Sequence, residues 1–147
     1  MKMFLTIALF LISSLTFAQQ LNDNLKKALK ADDAIALLAE VKAQKASIND
    51  YFDVEGVNYT LLTLSIKMSR PKIFNALITQ KADLNKICSD KTPLMYTAKY
   101  NTLDFAKALL NAGADESIKN SEGRTALDYA VKYKNTELEN LLKSIKK

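Results

Sequence analysis

A helix-starting motif recurs along this chain at nearly fixed intervals. Thr60-Leu61-Leu62, Thr92-Pro93-Leu94 and Thr125-Ala126-Leu127 begin 32 and 33 residues apart. Each motif opens an apolar pattern with helical spacing, and a polar break and a second such pattern follow it. A period of this length is typical of stacked repeat units, in which short helices bury their apolar faces against neighbouring units. The sequence therefore predicts an all-α solenoid of stacked helix-turn-helix units.

Two segments resemble a known family. Thr92-Pro93-Leu94 with Ala98, and Ala112-Gly113-Ala114-Asp115 after the second helix, are similar to the ankyrin repeat, which has about 33 residues and a Thr-Pro-Leu-His-x-Ala signature. The resemblance extends from about Asn22 to the C-terminus. It implies an ankyrin-repeat solenoid whose units are joined by projecting turns, and a protein-binding role carried by those turns and the inner helices.

The chain departs from the family at the signature histidine. Thr63, Met95 and Asp128 occupy that position in the three clear repeats. Asp128 can accept hydrogen bonds from backbone N–H groups, whereas we expect that Met95 cannot. The sequence therefore predicts an array somewhat less stable than a consensus ankyrin domain.

The repeat pattern assigns one ankyrin-repeat domain to residues 19–147. Approximate repeats span 58–90 and 91–123, with a degenerate N-terminal cap at 22–57 and a C-terminal cap at 124–147. Polar outer sides on the terminal units are expected where no neighbour covers them. These boundaries predict four helix pairs and no second domain.

Residues 1–18 have the layout of a secretory signal peptide. Lys2 precedes an apolar stretch from Met3 to Ile12, and Thr16-Phe17-Ala18 supplies small residues at a cleavage point after Ala18. An uncleaved anchor would need about 18 to 20 apolar residues, more than this stretch provides. We therefore expect a cleaved leader, export to the periplasm or the outside of the cell, and no transmembrane segment in the mature chain.

The residue inventory argues against catalysis. The chain has no histidine, one cysteine and three dispersed glycines, so the usual zinc sets, nucleophile–histidine pairs and phosphate-binding loops are missing. We predict no enzyme activity, no cofactor and no metal site. Asp50 with Asp53 or Glu55 leaves a carboxylate hydrolase as an alternative, although turn carboxylates usually cap helices. Export and the absence of aromatic residues within a basic stripe argue against nucleic acid as a partner.

Two further features allow more than one interpretation. Cys88 lies in a turn, where it could form an intermolecular disulfide or sense oxidants, although a buried small side chain is the favoured interpretation. Positive charge accumulates in the last unit, at Lys132, Lys134, Lys143, Lys146 and Lys147. These lysines either keep a terminal helix soluble or hold the protein to an anionic surface, which would make it a structural protein of the cell envelope.

The first turn is the longest, because eleven positions separate Asn49 from Thr60, against seven and eight in the following turns. Insertions in repeat proteins often map to the binding face. Aromatic and acidic residues in this turn either anchor a partner or cover the end of the first helix pair. With the positions that the resemblance nominates, the predicted partner-binding residues are Tyr51, Phe52, Asp53, Glu55, Tyr59, Lys86, Lys91, Met95, Tyr96, Tyr100, Lys119, Glu122, Arg124 and Tyr133.

The sequence thus predicts a non-catalytic protein-binding module, monomeric alone, that recognises an unknown protein of the cell envelope. Tyr100 and Tyr133 occupy equivalent places and could form an aromatic strip, although packing between repeats explains them equally well. An inhibitor or immunity-type protein and an assembly accessory protein are the two roles considered. An envelope-associated structural protein is the alternative function.

Overall fold

The structure, a computed structural model, describes residues 19–145. The predicted signal peptide at residues 1–18, and Lys146 and Lys147 of the predicted lysine-rich end, lie outside the described residues. Within the described part, the chain forms four helix pairs and one small sheet. The helices are α1 (Asp23–Ala31), α2 (Ala34–Ala43), α3 (Leu61–Lys67), α4 (Pro71–Thr79), α5 (Pro93–Tyr100), α6 (Leu103–Asn111), α7 (Ala126–Lys132) and α8 (Thr136–Ile145).

The pairs stack as the period predicts, and the all-α solenoid of helix-turn-helix units is confirmed. The first helices of the three clear repeats, α3, α5 and α7, pack side by side and are called the inner helices below. The second helices form an outer row in the order α2, α4, α6 and α8. Between the two rows lies a continuous apolar core that includes Leu37, Leu77 and Leu109.

The recurring threonine is an N-cap, which explains its period. The side chains of Thr60, Thr92 and Thr125 accept hydrogen bonds from the backbone N–H three residues on, at 3.3, 3.3 and 3.4 Å. Each bond satisfies one of the N–H groups that the first turn of a helix leaves without a partner. Every unit has to start its inner helix at the same place in the stack, so the cap recurs with the repeat.

The residues at the histidine position all bond to that cap. Asp128 accepts from the Thr125 backbone N–H at 2.7 Å, as the sequence predicts. The expectation that Met95 makes no such bond was wrong, because its Sδ lies 3.5 Å from the Thr92 N–H and accepts from it. A thioether is a weak acceptor, but burial of both groups leaves no water to compete.

The long first turn folds into a β-hairpin, which the sequence analysis did not predict. Strand β2 (Phe52–Val54) pairs antiparallel with β3 (Val57–Tyr59), so that Phe52 lies opposite Tyr59. The two residues between the strands, Glu55 and Gly56, both have positive φ, 56° and 81°, as a tight hairpin turn requires. A short strand β1 (Gln19–Gln20) adds to β2 in parallel and completes a three-stranded sheet.

The outer row is joined by an aromatic pair. The rings of Phe74 on α4 and Phe105 on α6 stack with their centroids 4.4 Å apart and their planes 23° apart. Phe74 is fully buried, whereas Phe105 is partly buried against the core. This pair therefore fastens the second repeat to the third from the outer side.

Candidate functional site

Buried tyrosines attach the projecting turns to the inner helices. The Tyr96 hydroxyl on α5 donates a hydrogen bond to the Cys88 carbonyl at 3.0 Å. One repeat later, the Tyr129 hydroxyl accepts a hydrogen bond from the Asn120 side-chain amide at 3.1 Å. Burial raises the pKa of Tyr96, so its hydroxyl stays protonated as this bond requires. The second and third turns are thus each held by a tyrosine of the helix that follows the turn.

Side chains also join each turn to the next one. Asn49 accepts from the Asp83 backbone N–H at 2.8 Å, and Asn85 accepts from the Asp115 N–H at 2.9 Å. Each of these bonds spans one repeat, because Asn49 and Asn85 have equivalent places in successive turns. The turns are therefore fixed relative to one another as well as to the helices.

A further bond links the tips of the second and third turns. Asp90 accepts from the backbone N–H and the hydroxyl of Ser121, at 2.9 and 2.7 Å. These two bonds hold the pKa of Asp90 below its ordinary value, because they stabilise the carboxylate form. The turn surface is therefore ordered before any partner arrives, which lowers the ordering entropy lost on binding.

Four of the predicted contact residues have buried side chains, and for them the prediction of an exposed binding group was wrong. Phe52 and Met95 are 0% exposed, Tyr96 is 2% exposed and Tyr59 is 8% exposed. Phe52 faces the core because the hairpin turns one face of β2 inward, and Tyr59 lies opposite it on β3. Met95 and Tyr96 are used by the cap and by the turn described above. Of the two interpretations of the aromatic residues in the long turn, the structure therefore supports the core role for Phe52.

Tyr51 lies at the junction between the first and second turns and is half-buried. Its hydroxyl donates to the Ile87 carbonyl at 2.8 Å, and the Lys86 ammonium lies 4.3 Å from its ring centroid. Burial raises the pKa of this hydroxyl. Asp53 accepts from the Gly56 N–H at 3.3 Å and so supports the hairpin turn. Tyr51, Lys86 and Asp53 therefore form part of the turn architecture while remaining partly accessible.

The other predicted contact residues keep exposed surface. Lys119, Glu122 and Tyr133 are exposed, and Glu122 forms an ion pair with Arg124 at the tip of the third turn. Tyr100 at the end of α5 and Tyr133 directly after α7 are stacked on the tyrosines four residues before them, with centroids 6.1 Å apart in both pairs. The surface that remains available from the prediction consists of Tyr51, Asp53, Glu55, Lys86, Lys91, Tyr100, Lys119, Glu122, Arg124 and Tyr133.

The inner helices carry a row of lysines, of which the family resemblance already places Lys99 and Lys132 on the concave side, whereas Lys67 was not predicted. Lys67, Lys99 and Lys132 each lie seven residues after a cap threonine, near the end of α3, α5 and α7, and all three are exposed. This set is called the lysine row below. The signal was present in the sequence, because these lysines repeat with the same 32- and 33-residue intervals as the threonines.

Each lysine of the row lies over an aromatic ring. The ammonium of Lys67 is 4.5 Å from the Tyr59 ring centroid, that of Lys99 is 5.3 Å from Tyr100, and that of Lys132 is 5.7 Å from Tyr133. Lys67 also donates a hydrogen bond to the Tyr59 hydroxyl at 3.2 Å. Cation–π contacts hold the ammonium groups at the surface without neutralising their charge.

Cys88 is buried at 1% exposure, so the favoured interpretation of this residue is confirmed. Its sulfur accepts from the Thr60 N–H at 3.3 Å and lies 3.5 Å from the Thr63 hydroxyl. The thiol thereby joins the second turn to the start of α3. Its position inside the stack keeps it away from other molecules while the domain is folded.

Among residues 19–145, no cluster of three or more cysteine, aspartate or glutamate side chains could hold a metal ion. Asp50, which the carboxylate alternative invokes, accepts from the Ser47 backbone N–H at 2.8 Å and therefore caps a turn. In that same part of the chain, no helix is both long and apolar enough to cross a bilayer.

Comparison with known proteins agrees with this architecture. The family model "Ankyrin repeats (3 copies)" matches residues 64–146, more than half of the chain. A protein of Rickettsia bellii (strain RML369-C), whose name assigns it ankyrin repeats, is 41% identical over 69 residues. That alignment covers 46% of this chain and 41% of the relative, so the chain matches less than half the length of that protein. The stacked helix pairs, the threonine caps and these matches show that the chain belongs to the ankyrin-repeat family, a family of protein-binding modules.

Proposed function

We propose that this protein is an exported, non-catalytic binding module that recognises one partner protein of the cell envelope. Export is inferred from the apolar leader before Gln19. The observation that carries the binding role is the double attachment of the turns, by Tyr96 from below and by Asn49 and Asn85 from repeat to repeat. A surface fixed in this way binds with little loss of conformational freedom.

The partner would contact the exposed side of the inner helices together with the turn tips. Large exposed groups are found there, at Ile87 on the second turn, at Val131 on α7 and at Tyr133 directly after α7, with 42%, 53% and 40% exposure. Aromatic and apolar groups of this kind supply contact area at interface centres. Two roles fit the proposal: an inhibitor or immunity-type protein, and an accessory protein for assembly of an envelope enzyme.

The test is a crosslinked pull-down from an envelope fraction, with the full gene expressed so that the leader can be processed. The surface variant is Tyr100→Ala with Tyr133→Ala. Its matched control is Ile35→Ala with Ile145→Ala, which removes exposed apolar side chains from the ends of the array. We expect a single partner that the wild type and the control capture and the surface variant loses.

Equal capture by all three proteins would place the site elsewhere, and the absence of any specific partner would contradict the binding role. Sequencing of the N-terminus and fractionation test export, because a protein that begins at Met1 and stays in the cytosol contradicts it. The activity and the abundance of the captured partner then separate the two roles. An inhibitor abolishes the activity at stoichiometric amounts, whereas an assembly factor changes the yield of the partner.

A further inference from the structure

Positive charge on the inner helices is concentrated in the lysine row. Together these three helices contain Lys67, Lys99 and Lys132 and one carboxylate, Asp128. Asp128 accepts from the Thr125 N–H and hydroxyl at 2.7 and 2.9 Å, and it lies one helical turn before Lys132. The four outer helices, by contrast, contain four lysines and four carboxylates, so their formal charges cancel. The exposed side of the inner helices therefore has the more positive potential.

The lysine row is also available to a partner. Among the described residues, ion pairs join Lys26 with Asp23, Arg124 with Glu122 and Lys143 with Glu139, so Lys67 and Lys99 belong to none of them. Their contacts are with tyrosine rings, which leave the full charge in place.

The spacing of the row fits an extended polypeptide. Neighbouring packed helices lie about 8–10 Å apart, so equivalent lysines on α3, α5 and α7 are separated by about that distance. A chain in the extended polyproline II conformation advances about 3.1 Å per residue and completes one turn in three residues, so every third side chain lies on the same face, about 9 Å further along. A segment that crosses the inner helices would therefore place every third side chain near a lysine.

A cleft at the N-terminal end of the row favours a polypeptide over other polyanions. It has a volume of about 440 Å³ and lies between α1, α3 and the hairpin, with Leu21, Leu29, Val54 and Met68 among its walls and Lys67 at its border. Apolar walls accept an apolar side chain, which phosphate polymers lack. The polar edge of this cleft has mixed charge, because the lysines Lys26, Lys30 and Lys67 line it together with Asp53 and Glu55.

We propose that the lysine row binds an extended acidic segment of a partner protein, with acidic residues at every third position and an apolar residue at the end that enters the cleft. This inference rests on the proposed binding function and names the chemistry of the partner. Asp128 reduces the attraction near Lys132, so Lys67 and Lys99 should contribute more than Lys132 does.

The test uses a labelled peptide with the sequence Leu-Glu-Ser-Thr-Glu-Ser-Thr-Glu, and its reverse, titrated with the full chain at low salt. The variant combines Lys67→Gln, Lys99→Gln and Lys132→Gln. Its matched control combines Lys42→Gln, Lys72→Gln and Lys107→Gln, which removes the same charge from the outer helices. Thermal unfolding of each protein shows whether it is folded, since lysines at helix ends also stabilise the helix.

Of the peptide and its reverse, we expect the one that the wild type binds more tightly to bind the lysine-row variant about tenfold more weakly. The control variant should bind it less than about twofold more weakly, since exposed charge pairs are individually weak. Binding should weaken at high salt. It should also weaken when the terminal leucine of the peptide is replaced by serine, or when the same residues are scrambled so that the acidic spacing is lost.

Equal binding by the two lysine variants would overturn the inference, as would a scrambled peptide that binds as well. A single-stranded oligonucleotide or phosphatidylglycerol vesicles that compete as strongly as the peptide would also overturn it. If the lysine-row variant still captures the envelope partner at the wild-type level, the inference fails while the proposed function stands. If the wild type captures no partner, the proposed function fails. The peptide titration then still shows whether the lysine row binds an acidic peptide.

Discussion

Replacement of Phe52 by alanine tests whether this residue belongs to the core or to a binding surface. The structure leaves none of the Phe52 side chain exposed and places it on the inward face of the hairpin. Truncation of a fully buried phenylalanine removes its transfer free energy and leaves a cavity, at a cost of about 3–5 kcal/mol. We therefore expect Phe52→Ala to lower the free energy of unfolding by about that amount.

The neighbouring residue supplies a comparison. Tyr51→Ala removes one hydrogen bond to the Ile87 carbonyl and one cation–π contact with Lys86, at a summed cost of about 1–2 kcal/mol. Phe52→Leu keeps a smaller apolar side chain in the same space and leaves a smaller cavity, so we expect a smaller loss than for Phe52→Ala. The three substitutions should therefore rank with Phe52→Ala as the most destabilising.

Urea unfolding followed by far-ultraviolet circular dichroism measures these losses, with the slope of the transition checked for each variant. A loss below about 1 kcal/mol for Phe52→Ala would refute the reasoning, because it would mean that the side chain is not packed in the core. The result also determines how the crosslinked pull-down of these variants is interpreted. A partner lost with Phe52→Ala would show that the hairpin had come apart, whereas a partner lost with folded Tyr51→Ala would show contact with the first turn.

Three further predictions follow from individual contacts. In a double-mutant cycle, Phe74→Leu and Phe105→Leu should show a coupling of about 0.5–1.5 kcal/mol in urea unfolding, because they remove one stacked pair, and additive losses would contradict it. The folded-state pKa of Asp90 is lowered, so its stabilising contribution is present above its unfolded pKa and is lost as the pH falls through the folded value. The melting temperature should therefore fall below about pH 4, and the fall should be smaller for Asp90→Asn; an equal fall in both proteins would exclude this contribution. Cys88 should react with a thiol reagent at a rate that rises with urea, and immediate full reaction in the native protein would contradict its burial.

Much of the candidate surface could be predicted from the repeat. The residues for which that prediction was wrong share one physical cause. Equivalent positions in successive units face the same way, so the threonine interval locates the inner helices and gives Tyr100 and Tyr133 equivalent places, although it leaves open whether they form a strip or pack between repeats. Whether one aromatic residue in a turn points inward is decided by contacts with other units. Phe52 and Tyr96 have the composition of interface anchors, but the structure uses them for the core and for a turn.

The lysine row shows the opposite case, in which a periodic signal was present in the sequence but its role was left open. Lys67, Lys99 and Lys132 repeat with the threonines, yet a lysine near a helix end is ordinarily explained by solubility and the helix dipole. The position of Lys67 over the Tyr59 ring, beside an apolar cleft, comes from packing between α1, α3 and the hairpin. That juxtaposition joins residues far apart in the chain.

The sequence by itself determined the unit of this protein: the two-helix repeat, its period, its threonine caps and the absence of histidine chemistry. These are local properties, since caps and apolar faces act within one helix or between adjacent units. Only the tertiary structure decided that the long first turn is a hairpin closed by Gln19 and Gln20, and that Met95 can serve the cap through its sulfur. A strand pairing between residues about thirty positions apart leaves no periodic pattern, because it depends on how the stack brings the two segments together.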